Sequence, residues 1–451
     1  MDVSEFFGRQ LLSSELPVGW KERVSKLQVQ PGIEVMATTV RCNRCGVTTT
    51  KQRCTLPNNQ FYCPSCIQLG RVSTLNSLVS LPEPNRFERI NQKDVLTWKG
   101  TLSKTQDKCA TDILTVFQER RQHLLWAVTG AGKTEMLFRG IAWALSQGLR
   151  VGLASPRIDV CNELFPRLVQ AFKRTDIQLL HGRSDIPYRY CQFTICTTHQ
   201  LLRFKVAFDV LIIDEVDAFP FAQDDGLWFA AQQAKKADGA LLFLTATPGK
   251  KLFQMIQRKE LSISYLPLRY HGHLLPTITC RLASKWQLKL EKGRLPRSLI
   301  VQMQQRLKHN IRFLLFVPHV AQLPAVQTSL QHTFPNEQIV TVHAGDPDRL
   351  EKVQLMRSEE INFLVTTTIL ERGVTFPGID VFVLGADDAV FSSAALVQIA
   401  GRAGRNVARP TGDVIFWCQS FAPNVLEAIK QIKYVNRKGR VLQQVRAEDN
   451  G

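Results

Sequence analysis

The sequence predicts an α/β protein in which two successive parallel-sheet lobes follow a small cysteine-bearing domain. Short apolar runs without polar alternation recur from about residue 105 to 250, and a second series follows residue 299. Such runs are typical of strands buried on both faces of a parallel sheet, and stretches of helical length separate most of them. Two C-x-x-C pairs lie upstream of both series. Together these observations favour an α/β fold with several domains.

The apolar runs set the expected order of strands and the domain limits. Residues 1–100 form an N-terminal region that ends in a charged, proline-containing stretch at 81–94. We expect the first lobe at 101–265, a linker rich in Pro, His, Gly and Lys at 266–298, and the second lobe at 299–451. The strands of the first lobe are predicted at HLLWAV, RVGLAS, FTICTT, FDVLIID and ALLFLTAT, and those of the second at RFLLFVPH, QIVTVHAG, NFLVTTT, DVFVLGAD and GDVIFWC.

Charge and hydropathy narrow the class of partner and the compartment. Lys and Arg total 57 against 39 Asp and Glu, a net charge of +18, which favours a polyanionic partner such as nucleic acid. Generic basicity is the alternative that charge alone leaves open. The start MDVSEFFGRQ has no secretory pattern and no apolar run could cross a bilayer, so we expect a cytoplasmic protein.

The stretch WAVTGAGKTE at 126–135 resembles a phosphate-binding loop, G-x-x-x-x-G-K-[ST], with Ala127 at the first glycine position. A strand is predicted before it and a helix after it, as such a loop requires. Gly130 and Gly132 allow backbone N–H groups to turn toward phosphate oxygens. A glycine turn that happens to precede Lys-Thr is the alternative. The predicted nucleotide-binding residues here are Thr129, Gly130, Ala131, Gly132, Lys133 and Thr134, with Lys133 on the β and γ phosphates and Thr134 on Mg²⁺.

The apolar strand in FDVLIIDEVD at 208–217 ends in Asp214 and Glu215. Carboxylates at the carboxyl end of a parallel strand lie where α/β folds bind ligands. Asp214 is therefore predicted to hold Mg²⁺, and Glu215 to orient or deprotonate the attacking water. An exposed acidic turn is the alternative, which the upstream GAGKT makes less favourable.

The N-terminal region carries CNRC at 42–45 and CPSC at 63–66, a spacing that predicts a structural zinc site. Cys42, Cys45, Cys63 and Cys66 would close a tetrahedron with no open position. Free thiols or a redox pair are the alternatives, and Cys54 is interpreted as a spare thiol. Phe61 and Tyr62 could stack on bases or serve the domain's own core. The basic residues predicted to give this module its charge are Arg41, Arg44, Lys51 and Arg53.

Taken in order, these motifs resemble those of superfamily 2 helicases and translocases, over about residues 105–420. The matching stretches are GAGKT, ASPR at 154–157, TTHQLL at 197–202, DEVD, TATP at 245–248, TTTILERGVTFPGID at 366–380 and QIAGRAGR at 398–405. The resemblance implies two tandem RecA-like lobes, an ATP-driven enzyme, and a tolerated alanine at Ala127. It also implies that Gln106 reads adenine.

The segment SSAALVQIAGRAGR predicts a helix on which Arg402 and Arg405, three residues apart, project on similar sides. Such arginines supply an arginine finger when the lobes close, and Gln398 is placed one turn before Arg402 to join the same cleft. Two solvated arginines on a basic helix are the alternative.

Hydroxyl groups at strand ends suggest a second ligand, because Ser and Thr commonly bind phosphates without reading bases. The resemblance implies that Thr245 and Thr247 couple the nucleotide site to a single-strand track. A preference of threonine for β structure is the alternative explanation. The implied nucleic-acid residues are Pro156, Arg157, Thr197, Thr198, Thr366, Thr367 and Thr368.

Two helicase families combine a zinc module with these motifs. The primosomal replication-restart helicases have their cysteines inside the helicase region, whereas here both pairs precede the first lobe. The chain resembles the ComFA family of late competence proteins more, through CNRC…CPSC, GAGKTE, DEVD, TTHQLLRF, TATP and QIAGRAGR. That resemblance implies an ATP-dependent single-stranded DNA translocase at the inner face of the cell membrane. It implies ATP, Mg²⁺ and one zinc as cofactors, and ComFC-like and DprA-like proteins, the membrane DNA channel and a possible oligomer as partners.

Two further classes of function remain open at this point. The protein could be an RNA helicase, which stimulation by RNA against DNA would reveal. It could also be a nucleic-acid-binding scaffold with an inactive helicase core, although intact Lys133, Asp214, Glu215 and Arg405 argue against decay.

Overall fold

The computed structural model describes residues 3–16, 19, 26–183, 186–371, 374, 376–406 and 408–448. They form two compact units, one of Met1–Trp126 with Lys133–Tyr265 and one of Ala127–Gly132 with Leu266–Gly451. Within the described ranges, no helix has both the length and the apolar character needed to span a bilayer. Positions 372, 373 and 375 of the TTTILERGVTFPGID motif fall outside these ranges.

The N-terminal part of the first unit is built from short antiparallel strands. Three of them form a sheet in the order β1-β8-β2, three more form the sheet β3-β4-β5, and β6 pairs with β7. The strands are β1 (Arg9–Leu12), β2 (Gln28–Pro31), β3 (Ile33–Val35), β4 (Thr39–Cys42), β5 (Thr48–Thr50), β6 (Thr55–Leu56), β7 (Gln60–Phe61) and β8 (Ser77–Leu81).

The rest of the first unit is an α/β lobe around a seven-stranded sheet ordered β11-β12-β10-β13-β14-β9-β15. The five strands predicted here are confirmed, and β11 and β15 are additional. The strands are β9 (Gln122–Ala127), β10 (Val151–Ser155), β11 (Ile177–Leu180), β12 (Phe193–Thr197), β13 (Phe208–Ile213), β14 (Lys235–Thr245) and β15 (Ser262–Leu266). The helices are α1 (Gln92–Val95), α2 (Lys104–Gln118), α3 (Lys133–Ser146), α4 (Ile158–Ala171), α5 (Asp225–Ala234) and α6 (Lys250–Gln257).

The second unit is another α/β lobe, with a parallel sheet ordered β16-β21-β20-β17-β19-β18. All five predicted strands are present. The strands are β16 (Ile278–Leu282), β17 (Phe313–Phe316), β18 (Val340–Val342), β19 (Phe363–Thr366), β20 (Asp380–Leu384) and β21 (Val414–Cys418). The helices are α7 (Trp286–Glu291), α8 (Arg297–Lys308), α9 (Leu323–Thr333), α10 (Arg349–Arg357), α11 (Ser393–Ala400) and α12 (Pro423–Glu448).

The interpretation of residues 266–298 as a linker needs correction. The segment supplies β16, an edge strand paired in parallel with β21, and the helix α7. Trp286 on α7 is fully buried and packs into the core of this lobe. The Pro- and Gly-rich composition hid these elements because edge strands and short helices carry few apolar residues.

The cysteine module and the first lobe share one hydrophobic core. Cys42, Cys45, Cys63 and Cys66 belong to the same buried cluster as Phe221 and Trp228 of the lobe. Gly46 lies directly on α5, where an added Cβ would stand 2.6 Å from the Phe229 ring. The module therefore packs against α5, the helix that follows the DEVD box in the chain.

Candidate functional site

Four thiols converge in the N-terminal module, as the spacing predicts. The Sγ atoms of Cys42, Cys45, Cys63 and Cys66 lie within 4.8 Å of one another, and all four residues are buried. Cys42 and Cys66 are 3.9 Å apart and Cys45 and Cys63 3.6 Å apart, far beyond a disulfide bond. Sulfurs about 2.3 Å from a tetrahedral zinc are separated by about 3.8 Å, so this donor set fits one structural zinc ion.

Arg44 supports the thiol cluster rather than an exposed basic surface, which corrects one expectation. The side chain is 1% exposed, its Nε donates to Cys66 Sγ at 3.4 Å, and its other nitrogens bind backbone carbonyls of residues 66–70. Hydrogen bonds from Cys42 and the other thiols, assisted by the Arg44 charge, lower the pKa of Cys66 and so favour its thiolate. Cys54 donates to Thr50 O and lies outside the cluster, as expected of a spare thiol.

The predicted phosphate loop has the backbone that its glycines imply. Gly130 and Gly132 adopt φ values of +77° and +75°, a region that side chains with a Cβ disfavour. Ala127 is fully buried, which explains why the position requires a small residue and no more. The helix α3 begins at Lys133, and the next residue, Thr134, is 8% exposed.

The carboxylates of the DEVD box lie at the carboxyl edge of the first-lobe sheet. The Asp214 N–H donates to Ala154 O at 2.8 Å, which aligns the end of β13 with the end of β10. The Asp214 carboxylate in turn accepts from the Glu215 N–H at 2.8 Å. Glu215 has a φ of +55°, a strained left-handed conformation of the kind that persists at functional sites. A sharp turn therefore follows the strand and leaves Asp214 9% exposed.

Asp217, which the sequence did not single out, connects the DEVD box to TATP. Its two carboxylate oxygens accept hydrogen bonds from Thr245 at 2.6 Å and from Thr247 at 2.5 Å. Thr245 Oγ1 also accepts from the Thr247 N–H at 2.9 Å. The sequence does offer one signal for Asp217. It is the last residue of the DEVD box, whose first two residues, Asp214 and Glu215, are predicted to be catalytic.

Gln106 and the strand-end residues of the first lobe occupy more enclosed positions than expected. Gln106 is 6% exposed, and its Oε1 accepts from the Ser103 N–H at 2.9 Å in a capping box that begins α2. Pro156 is buried and Arg157 half-buried beyond β10. Thr197 is 6% exposed, whereas Thr198 has no exposed surface.

The second lobe presents its three threonines unequally. Thr366 is fully buried and donates to Val342 O at 3.1 Å, while Thr367 is 6% exposed and Thr368 half-buried. The expectation that every strand-end hydroxyl lines a surface track is therefore corrected for Thr198 and Thr366. The Thr366 hydroxyl is held by Val342 O inside its own lobe, and the Thr198 side chain is enclosed just after the end of β12.

Arg402 and Arg405 do not project from one helix, contrary to prediction. The helix α11 ends at Ala400, and Gly404 and Arg405 take φ values of +76° and +63°. Arg402 is 3% exposed and donates to Val374 O, whereas Arg405 is half-buried and donates to Gly401 O at 2.8 Å. Gln398 lies on the last turn of α11 and is 6% exposed. The helix ends before either arginine, and the left-handed Gly404 turns the chain between them, so the two side chains occupy different environments.

Arg269, from the segment expected to be a linker, holds the loop of the second unit that carries Arg402 and Arg405. It is 2% exposed and donates to Gly401 O, Ala403 O and Pro410 O at 2.8 to 3.0 Å. Burial, reinforced by the Arg405 charge, lowers its pKa to about 9. No sequence signal identified Arg269, because a single arginine in a polar stretch carries no periodicity.

Three protein families match three separate parts of the chain. Residues 2–80 match the competence protein ComFA N-terminal domain, 99–250 the type III restriction enzyme res subunit, and 295–407 the helicase conserved C-terminal domain. Among solved structures, S. cerevisiae Dbp5 bound to RNA and ADP BeF3 has a TM-score of 0.57 at 14% identity, covering 76% of this chain and 94% of that one. The Mycobacterium smegmatis helicase Lhr bound to ssDNA and AMP-PNP has a TM-score of 0.55 at 16% identity, covering 75% and 48%. At these identities the likeness shows the fold, two RecA-like lobes.

Two curated relatives match nearly the whole chain. Competence protein ComFA of Bacillus subtilis (strain 168) is 41% identical over 437 residues, which cover 95% of this chain and 93% of that protein. Competence protein ComFA of Streptococcus pneumoniae is 38% identical over 434 residues, which cover 96% and 98%. The chain therefore belongs to the ComFA family, competence-related ATPases of helicase superfamily 2 that are stimulated by nucleic acid.

Proposed function

We propose that this protein is an ATP-driven translocase on single-stranded DNA that serves the uptake of transforming DNA. The observation that carries the proposal is the Asp214–Glu215 pair at the carboxyl end of β13, within a chain 41% identical to a competence protein over nearly its full length. An acid pair at such a strand end, downstream of a phosphate loop, is suited to nucleotide hydrolysis.

The roles of the nucleotide-site residues follow from their chemistry. Bound ATP and Mg²⁺ would supply the phosphoryl group and neutralise its charge, with the Thr134 hydroxyl and the Asp214 carboxylate as the Mg²⁺ ligands. Lys133 would contact the β and γ phosphates, and Gln106 the adenine. Glu215 would accept the proton of the attacking water, which its turn after β13 favours. Arg405, assisted by Gln398, would stabilise the charge on the γ phosphate, and the buried Arg402 would hold the loop beside it through Val374 O.

The link from hydrolysis to movement is proposed to run through Asp217. A carboxylate that holds both Thr245 and Thr247 transmits a change at the DEVD box to the TATP loop without a flexible intermediate. The single-stranded DNA would contact the protein through its phosphates. The contacting residues would be Pro156, Arg157, Thr197, Thr367 and Thr368. With Thr198 and Thr366 buried, their part would be to hold these loops in place.

The competence role implies several partners, which we propose from the family resemblance. They are a ComFC-like protein, a DprA-like protein and the membrane DNA channel, reached from the cytoplasmic side. One structural zinc in the four-cysteine module would keep that module folded on the first lobe.

ATP hydrolysis measured with single-stranded DNA, duplex DNA and RNA tests the proposal. Single-stranded DNA is expected to stimulate turnover most. The stimulation should weaken steeply as the salt concentration rises, because counterion release drives binding to phosphates. Lys133→Ala is the matched negative control and should abolish turnover while it retains strand binding. Equal or stronger stimulation by RNA would favour an RNA helicase, and no stimulation by any polymer would favour a scaffold.

A further inference from the structure

The C-terminal helix α12 is fixed to the second lobe by one face. Val425, Ala428, Ile432 and Val435 are 5% exposed or less on that face. An added Cβ at Gly439 would lie 2.6 Å from Leu274 Cδ2, so the helix packs closely against the segment before β16.

A pair of hydrogen bonds fixes the rotation of the helix about its own axis. Asn436 is 3% exposed, accepts from the Leu275 N–H at 3.0 Å and donates to Leu275 O at 2.9 Å. These contacts determine which side chains of α12 face solvent.

The opposite face of α12 is a row of cations. Lys430, Lys433, Arg437 and Arg440 are exposed and follow one another at intervals of three, four and three residues. This spacing places them along one side of a helix over about 15 Å. In the part of the chain that the structure describes, none of these four side chains forms an ion pair with a carboxylate. We call this face the α12 cationic face.

An aromatic side chain lies beside the cations. Tyr434 is 41% exposed, and the Arg437 guanidinium and the Lys438 ammonium lie 5.7 and 6.0 Å from its ring centroid. Cations interleaved with an exposed aromatic ring are typical of surfaces that track a nucleic-acid backbone and stack its bases.

The far end of the cationic face borders a cavity. Arg440 lines a space of about 640 Å³ together with Arg409 and the backbone segment around Thr411. Arg409 also donates to Gly378 O at 2.5 Å, which holds it at the cavity wall. A chain that follows the cations would therefore reach a concave region at the Arg440 end.

We propose that the α12 cationic face is a second binding surface for single-stranded nucleic acid, separate from the helicase motifs. Like charges at three- and four-residue spacing repel one another along a helix. Phosphates of a bound strand would remove that repulsion, and Tyr434 would stack on a base. A membrane surface is less favoured, because an interfacial helix inserts its apolar face into lipid, and the apolar face of α12 is buried in the lobe. The proposal deepens the proposed function and rests on it for the identity of the polymer.

The test compares two triple variants with the same loss of charge. The first is Lys430→Gln with Lys433→Gln and Arg437→Gln. The control is Lys289→Gln with Lys292→Gln and Arg294→Gln, three exposed cations at the end of α7 in the same unit. Both are made in the Lys133→Ala background, and binding to a fluorescent single-stranded DNA is measured without nucleotide from about 50 to about 200 mM salt.

The α12 variant is expected to bind more weakly, and the magnitude of its negative slope of log affinity against log salt should decrease by about 2, since each phosphate contact contributes about 0.7. The control variant should keep the slope of the parent. Tyr434→Leu should weaken binding at all salt concentrations, and Tyr434→Phe should restore it because the ring is retained. Thermal unfolding of each variant checks that the lobe remains folded.

Equal slopes for the α12 and control variants would overturn the proposal. Flotation of the parent and of the α12 variant with phosphatidylserine vesicles is measured as well. If the α12 variant kept its DNA binding but lost flotation that the parent shows, the proposal would be overturned and the face assigned to a membrane. The binding measurement requires no ATP turnover. Failure of DNA to stimulate the wild-type ATPase would therefore reject the proposed function without changing the outcome of the binding comparison.

Discussion

Thr247 donates its hydroxyl to Asp217 at 2.5 Å and so joins the TATP loop to the DEVD box. Thr247→Val removes that hydrogen bond to a charged group and is expected to lower DNA-stimulated turnover by on the order of tenfold. Thr247→Ser keeps the hydroxyl and should remain close to wild type. Steady-state ATPase with saturating single-stranded DNA measures the difference, and equal rates for the two variants would remove Asp217 from the proposed coupling.

Arg402 and Arg405 are expected to fail in different ways when each is replaced by glutamine. Arg405→Gln should reduce stimulated turnover by about 10³-fold with little change in thermal unfolding, because a half-buried guanidinium beside the loop can reach a ligand. Arg402→Gln should lower the free energy of unfolding by about 1–3 kcal/mol, since it leaves Val374 O without its buried donor. A stable but inactive Arg402→Gln beside an active Arg405→Gln would reverse the two roles.

The thiol cluster predicts loss of metal and of lobe stability together. Cys63→Ser with Cys66→Ser should reduce bound zinc from about one per chain to none, as measured on protein purified in reducing buffer. Because Gly46 packs on Phe229, amide exchange in α5 should accelerate as well. Cys54→Ser is the matched control and should retain zinc, because Cys54 lies outside the cluster. Zinc absent from the wild-type protein would contradict the assignment.

His123 makes the stability of the first unit sensitive to acid. Its ring nitrogens lie 2.8 Å from Ser262 Oγ and 2.9 Å from Ser264 Oγ, and burial lowers its pKa to about 4. Between the ordinary value of about 6.5 and pH 4 the unfolded state binds a proton that the folded state does not. Stability should therefore fall as pH falls through this window, by up to about 3 kcal/mol.

His123→Gln should flatten that part of the pH profile, measured by urea unfolding from pH 7 to about 4.5 and compared with wild type at each pH. The exposed His309→Gln is the control and should leave the profile unchanged. Parallel profiles for His123→Gln and wild type would show that other groups govern the acid sensitivity.

Much of the fold could be predicted because its signals are local. Buried parallel strands need apolar side chains on both faces, and these runs located ten strands before any contact was known. The convergence of four cysteines was equally predictable, since two C-x-x-C pairs at this spacing have few other uses. The left-handed turns at Gly130 and Gly132 are the backbone that the loop pattern implied.

Other features required long-range contacts that carry no local signal. The edge strand β16 and the buried Trp286 lie in a segment that composition assigned to a linker. The local sequence predicts a surface charge at Arg44, but its guanidinium is satisfied by carbonyls more than 20 residues away. The helical spacing of Arg402 and Arg405 is misleading because α11 ends at Ala400 and the chain turns at Gly404 between the two arginines.

Residue type and short-range spacing are enough to predict the two-lobe α/β architecture, the four-cysteine module and the residues suited to nucleotide chemistry. The tertiary fold sets which of those side chains are accessible and which are buried in the core. It buried Thr198, Thr366 and Arg402, joined Asp217 to TATP, and left the cations of α12 in solvent. Burial and hydrogen bonding depend on residues far apart in the chain, and no local pattern records them.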